Sequence, residues 1–222
     1  MKLATIVVLG ILLLGSFASM QAADPWNGSR VVMAFSGGSV YTPTTNICLF
    51  YPVILGDLDM ESLFAPSGGV PQVDKEHAYL VWISDYTLVP IPPFLIPGHI
   101  PGNLYEFLVP TAPATIYFRP DPQNRNWSDL TDQSTWGTPV AQFSRRATVF
   151  HSIDGGNSGN AVLSSILLSS KPFKLNGKTY NFKDLMPHGM TCIEVGLVKG
   201  SSTGDDETGT CIAIGEKNEN DK

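Results

Sequence analysis

Arg145 and His151 lie in Val140–Ile153, a run whose side chains alternate between a polar set and an apolar one. The apolar set is Ala141, Phe143, Arg145, Ala147, Val149, His151 and Ile153. A half-buried strand turns such a set inward. A buried guanidinium then needs a carboxylate or several carbonyls around it. Two readings follow. Arg145 and His151 could line a pocket, with Arg145 holding an anionic substrate and His151 moving a proton. Alternatively, Arg145 pairs with a structural acid such as Glu194 or Asp85, or a bulge turns it outward.

A second candidate follows directly in Asp154-Gly155-Gly156-Asn157-Ser158-Gly159. From Gly155 to Val162 this segment resembles the nucleophile loop of trypsin-fold serine proteases of the glutamyl-endopeptidase type. That resemblance implies a hydrolase in which Ser158 attacks and backbone N–H groups form an oxyanion hole. His151 or His77 would be its base. The family's upstream His segment has no counterpart around His77 or His99, Asn160 follows the second glycine, and Ala161 stands where a proline is usual. The competing reading is a Gly/Asn/Ser-rich hairpin loop joining two strands.

Other residues carry weaker signals. Asp121, Asn124, Asn126 and Asp129 offer hard oxygen ligands, without the one-in-two spacing of a Ca²⁺ loop. In the same loop Trp127, beside Arg125 and Asp121, could stack on a sugar ring; turn-capping Asp and Asn explain the loop equally well. Met186, His188 and Met190 bring soft ligands near one turn. Glu106, Glu194 and Glu207 are candidates for two-carboxylate glycoside chemistry, with nothing local to choose among them. After residue 23 there is no His-x-x-x-His, Cys-x-x-Cys or phosphate-binding glycine loop, so no metal and no cofactor is expected.

The elements that must position these groups are β-strands. Short runs rich in Val, Ile, Phe and Tyr alternate with Gly, Pro, Asn and Ser. Val31–Phe35, Ile47–Leu55, Ala78–Ser84, Ala114–Arg119, Val140–Ile153, Ala161–Ser169, Thr191–Lys199 and Thr208–Ile214 are the expected strands. Pro52 demotes the second to an edge or bent strand. Tyr79 to Ile83 has no polar face and must be covered on both sides. Asn176-Gly177 predicts a type I′ hairpin within Phe173–Phe182. Asp57–Phe64 could make two helical turns capped by Asp57. Seven prolines between Val89 and Pro113 argue against helix or central strand there, leaving an apolar cover or a partner-binding segment. A turn centred between Ser201 and Ser202 places Cys192 directly opposite Cys211, close enough for a disulfide. Cys48 is then the odd cysteine and reads as a small buried side chain.

The chain has 222 residues, 15% charged and 43% hydrophobic, with net charge -6. It is too apolar for a disordered tail and too acidic for a nucleic-acid binder. Three cysteines are too few for a disulfide scaffold. Lys2, the apolar run Leu3–Leu14 and the small residues after it read as a signal peptide over residues 1–23, too short to remain as a membrane span. The expectation is therefore an all-β protein: one antiparallel β-sandwich or small β-barrel over residues 25–215, with long loops and at most short helices, and a polar tail at 216–222. It is expected to be secreted or periplasmic and to act by binding or as a structural module rather than by catalysis. Its partner would be a small ligand, a glycan or another protein.

Overall fold

The computed structural model describes residues 31–41, 45–92, 95, 98, 104–146, 148–153, 158–197 and 205–214. The expected signal peptide, the C-terminal tail and the loop from Asp154 to Asn157 lie outside the described residues. In chain order the elements are β1 (Val31–Tyr41), β2 (Thr45–Leu55), α1 (Met60–Leu63), β3 (Pro66–Ser67), β4 (Val70–Pro71), β5 (Leu80–Pro90), β6 (Leu104–Pro110), β7 (Ala114–Phe118), β8 (Thr138–Arg145), β9 (Thr148–Ile153), β10 (Ser158–Ser170), β11 (Phe173–Leu175), β12 (Lys178–Tyr180), α2 (Phe182–Leu185), β13 (Met190–Leu197) and β14 (Asp205–Ala213).

β3 pairs with β4 and β11 with β12 as separate small hairpins; the other ten strands form one antiparallel sheet. β7 and β6 follow one another along β5, just as β8 and β9 follow one another along β10. Each of these pairs is one wall strand with a break in it. Counted so, eight strands run up and down in sequence order, and β14 returns to β1. The sheet is therefore a closed barrel rather than a sandwich, and closure removes the unpaired edges that an open sheet exposes.

Local sequence explains most of the wall. In β5, Leu80, Val81, Trp82 and Ile83 are all buried, as a segment without a polar face requires. Pro52 lies beyond the last β2–β5 pair, Phe50 with Trp82, and where the β1–β2 register shifts. Its missing N–H therefore costs no ladder bond to β5, and β2 is bent but central rather than an edge. Asn176 and Gly177 take φ of 49° and 80°, the two left-handed positions of a type I′ turn. Gly177→Ala is expected to cost about 1 kcal/mol, because alanine disfavours that backbone region. A urea-midpoint comparison checks it.

Three expectations are corrected. The helix near residue 60 is one turn, capped by Asp59, whose carboxylate accepts from Ser62 N at 3.1 Å. A tight Leu55–Leu58 turn holds the chain before it, and Asp57 pairs with Lys178 at 2.5 Å instead. Strands also run into both ends of the proline-rich stretch, because Pro90 and Pro110 fall at the ends of β5 and β6. Finally, Val140–Ile153 is two strands. β8 pairs Arg145 with Ser165 and β9 pairs His151 with Asn160, a slip of one residue between them.

One end of the barrel is closed by residues 56–79, 119–137 and 171–189. These connections bury Leu63, Phe64, Trp136, Phe173, Phe182 and Met186 and are laced to one another. Asn176 Nδ2 donates to Ser62 O at 3.4 Å, and Arg125 Nη2 donates to Tyr79 O at 3.1 Å. Above this plug an aromatic block of Phe35, Phe50 and Trp82, with centroids 4.8 to 5.6 Å apart, fills the lumen. Beyond the block the lining turns polar. Ser39, Ser84, Arg145, Ser165, Glu194 and Glu207 are all buried.

Candidate functional site

An eight-stranded barrel has room inside for side chains or for one small ligand. Here the polar part of that interior is built around Arg145, the last residue of β8 before the wall breaks. Its strand neighbour on β10 is Ser165, fully buried. The guanidinium lies between two aromatic faces, 4.9 Å from the Trp82 ring centroid and 4.7 Å from that of Tyr86. Both rings stand on β5, two strand pairs apart, so alternation turns them to the same side. Nη1 donates to Ser84 Oγ, and Nη2 donates to Glu194 Oε1 at 3.4 Å. Nε has no hydrogen-bond partner among the described residues.

Glu194 on β13 stands opposite Gly209 of β14 and Ala161 of β10. Glu207 on β14 stands opposite Gly196 and Gly37. Small residues thus flank each acid; at Gly37 and Gly209 a side chain would run into Phe50 and Phe35, so the glycines let the aromatic block pack against the wall. Ser39 Oγ donates to Glu207 Oε1 at 2.5 Å. Glu194 is therefore buried beside one guanidinium and near a second carboxyl group, surroundings that favour its protonated form. Burial pushes the Glu194 carboxyl up to about 8 against the opposing pull of Arg145, and the Glu207 charge adds to the rise. Burial, reinforced by both glutamates, also raises the Cys48 thiol well above its ordinary value, which keeps it a protonated core group.

The structure separates the sequence-derived candidates. Arg145 and Glu194 meet, as the ion-pair reading required, and Glu207 joins them electrostatically. The His151 and Glu106 side chains lie outside the described residues; the His151 backbone is in register with exposed Asn160, whereas that of Arg145 is in register with buried Ser165. The one-residue slip therefore changes the phase of the alternation that linked Arg145 to His151. Ser158 begins β10 in the phase of exposed Asn160 and Val162, opposite to that of Leu163 and Ser165, and does not join the cluster.

Arg125, Trp127 and Asp121 form part of the barrel plug. Arg125 is buried and its guanidinium donates to the carbonyls of Ala78, Tyr79 and Trp136. Burial lowers it to about 10, with Arg119 acting in the same direction. Trp127 packs on Trp136 with centroids 5.2 Å apart, and Asp121 accepts from Asn124 Nδ2 at 2.8 Å. Asp129 and Asp132 cap their own turns through Thr131 and Ser134. His188 is exposed while Met186 and Met190 are buried, so those three do not form one ligand set. Among the described residues no group of three His, Cys, Asp or Glu side chains is placed to hold a metal ion.

Outside the same wall, the Thr111–Pro113 break leaves a pocket of about 250 Å³ lined by Asp85, Pro113, Thr115, Tyr117, Gln133 and Gln142, among others. Burial raises the Asp85 carboxyl.

The fold and its interior define a class: a closed up-and-down β-barrel with a charged, aromatic-lined lumen. Comparison of the chain with protein-family models, with curated proteins and with solved structures finds no match in any of the three.

Proposed function

We propose that the protein binds a small, acceptor-rich ligand inside the barrel, with Arg145 as its anchor. The observation that carries this reading is a group of unpaired polar atoms around the guanidinium. Among the described residues, Arg145 Nε, Trp82 Nε1 and Ser165 Oγ are buried without a hydrogen-bond partner, while Tyr86 shares a hydrogen bond with Ser84. Native interiors pair more than about nine in ten of their buried polar groups, so three orphans around one guanidinium call for a partner. All three can donate. A carbonyl, carboxylate or ether oxygen on a compact, partly apolar molecule satisfies them, and the Trp82 and Tyr86 rings supply its apolar walls. The polar part of the interior then works as a binding site in an exported protein. The Cys192–Cys211 bond fits an oxidising destination, and no helix among the described residues is long and apolar enough to cross a membrane.

The test uses tryptophan fluorescence with a panel of small carboxylates, ketones and matched alkanes. Carboxylates and ketones are expected to perturb the emission and raise the melting temperature, and alkanes to do neither. Arg145→Met should weaken binding at least tenfold, equivalent to about 1.4 kcal/mol. Arg145→Lys, which keeps the charge, checks the anchor if the Met variant folds poorly. Equal binding by wild type and both variants would sink the proposal.

One observation favours a second reading, in which the interior cluster is catalytic. A carboxyl held near 8 can donate or accept a proton at neutral pH, and Glu194 lies against the anchoring cation. Glu194→Gln separates the two readings: it spares a receptor and abolishes an acid–base enzyme.

A further inference from the structure

The pocket beside the Thr111–Pro113 break lies on the outer face of the wall, apart from the Arg145 cluster. Ile83 of β5 is in register with Thr115 of β7, and Thr115 with Gln142 of β8. Alternation therefore turns Asp85, Thr115, Tyr117 and Gln142 outward, whereas Ser84, Tyr86 and Arg145 turn inward. The 119–137 connection folds over these outward residues. Tyr117 Oη donates to Gln133 Oε1, the Tyr117 ring meets that of Trp136 edge-on at 5.9 Å, and Thr115 is buried. Thr111 N donates to Asp85 O at 3.2 Å and holds the chain at the break. Between the connection and the break remains the cavity of about 250 Å³.

Its polar groups form a pattern. Both glutamine side chains already use their oxygens: Gln133 Oε1 accepts from Tyr117, and Gln142 Oε1 accepts from Ser169 Oγ at 3.5 Å. Their Nε2 groups are left as donors, without a partner among the described residues. Asp85 is half-buried, and among the described residues its carboxylate has no ion pair and no hydrogen bond; burial is what raises it. A ligand must therefore bring donors to the carboxylate and acceptors to the amides. A hydroxyl group does both, and two adjacent hydroxyls can serve both sides of the pocket at once. An anion is repelled by Asp85, and no described cation lines the pocket to offset that. An ammonium satisfies Asp85 but meets two N–H donors. Tyr117 and Pro113 add apolar faces for the C–H edges of a ring. The volume lies below the roughly 300–1,000 Å³ of sites for drug-sized molecules, so it suits one ring rather than a chain.

We propose that this pocket binds the ring of a neutral monosaccharide, with Asp85 accepting from adjacent hydroxyls and Gln133 and Gln142 donating to sugar oxygens. A smaller pocket of about 120 Å³, which shares Gln142, leaves room for a substituent on that ring.

Saturation-transfer NMR of the purified protein with glucose, galactose, mannose and their methyl glycosides tests the proposal, with cyclohexylammonium as a cationic ring of similar size. At least one sugar is expected to bind with a Kd of about 10 mM or tighter. Asp85→Asn removes the charge that strengthens its hydrogen bonds, and Gln142→Ala removes a donor; each should weaken binding about tenfold with unchanged circular dichroism. Arg145→Lys should leave sugar binding as it is, which separates this site from the interior one. Binding of a free hexose but not of its methyl glycosides supports a free sugar as the ligand; binding of the glycosides as well supports the end of a glycan. No sugar bound at about 10 mM overturns the proposal, as does binding that survives both substitutions. Cyclohexylammonium bound through Asp85 more tightly than any sugar also overturns it, because it gives the pocket to an amine.

Discussion

Raising the pH from about 5 to about 8 is expected to destabilise the barrel. In the unfolded chain Glu194 loses its proton near its ordinary 4.5; in the folded chain it keeps it until about 8. Between those values the folded state binds a proton that the unfolded state has released, so stability falls as pH rises. The contribution is constant below the lower value and again above the upper one. At about 1.4 kcal/mol per pH unit the complete loss between 4.5 and about 8 is on the order of 5 kcal/mol, large against a total stability of about 5 to 15 kcal/mol. Asp85, raised by burial, contributes with the same sign at the acid end. Glu194→Gln removes the carboxyl and most of the slope, and makes the variant more stable than the wild type above pH 8. Arg145→Met acts in the opposite sense. Arg145 pulls the Glu194 value down, so its loss extends the window upward, and the cost of the substitution grows with pH. Urea denaturation followed by circular dichroism at half-unit steps from pH 5 to 9 reads all three proteins. A level wild-type profile, or a slope that persists unchanged in Glu194→Gln, would contradict the protonated cluster.

That cluster was only half legible in the sequence. The alternation through Phe143 and Arg145 turns a guanidinium inward, and burial then demands an acid; Glu194 was among those in reach. Alternation could not show where the phase is lost. The slip after Arg145 falls beside the break at Thr111–Pro113 in the neighbouring wall strand, with β8 paired to β7 on one side of it and β9 to β6 on the other. Neither segment encodes the other's break. The Trp82–Tyr86 cradle was hidden for a different reason. Trp82 sits in Tyr79–Ile83, where no polar face gives a contrast to mark which side chains line the lumen, and Tyr86 lies beyond the expected strand Ala78–Ser84. Barrel and sandwich were not separable either, since closure depends on β14 meeting β1, Val31 opposite Ile212, at opposite ends of the chain. Local turn chemistry, by contrast, was fully readable at Asn176-Gly177, where two residues determine the backbone.

Replacing both Cys192 and Cys211 by alanine is expected to cost about 3 kcal/mol, the chain-entropy value for a loop of about 20 residues. The two cysteines are direct strand neighbours at a separation of 19 residues, as a turn between Ser201 and Ser202 requires. The bond links strands that the ladder already joins, so it adds little to the folded contacts and acts mainly by restricting the unfolded chain. Two results follow from that origin. The melting temperature falls by about 6 to 12 °C at 2 to 4 °C per kcal/mol for a chain of this size. The dependence of stability on urea concentration steepens, because the uncrosslinked chain exposes more surface when it unfolds. Reduction of the wild type with dithiothreitol should reproduce both. A variant melting with the wild type would remove the bond from the stability of the barrel. A different outcome, a shifted Glu194 midpoint in the pH profile, would mean that the bond positions the cluster, since Cys192 and Glu194 face the lumen as successive inward residues of β13.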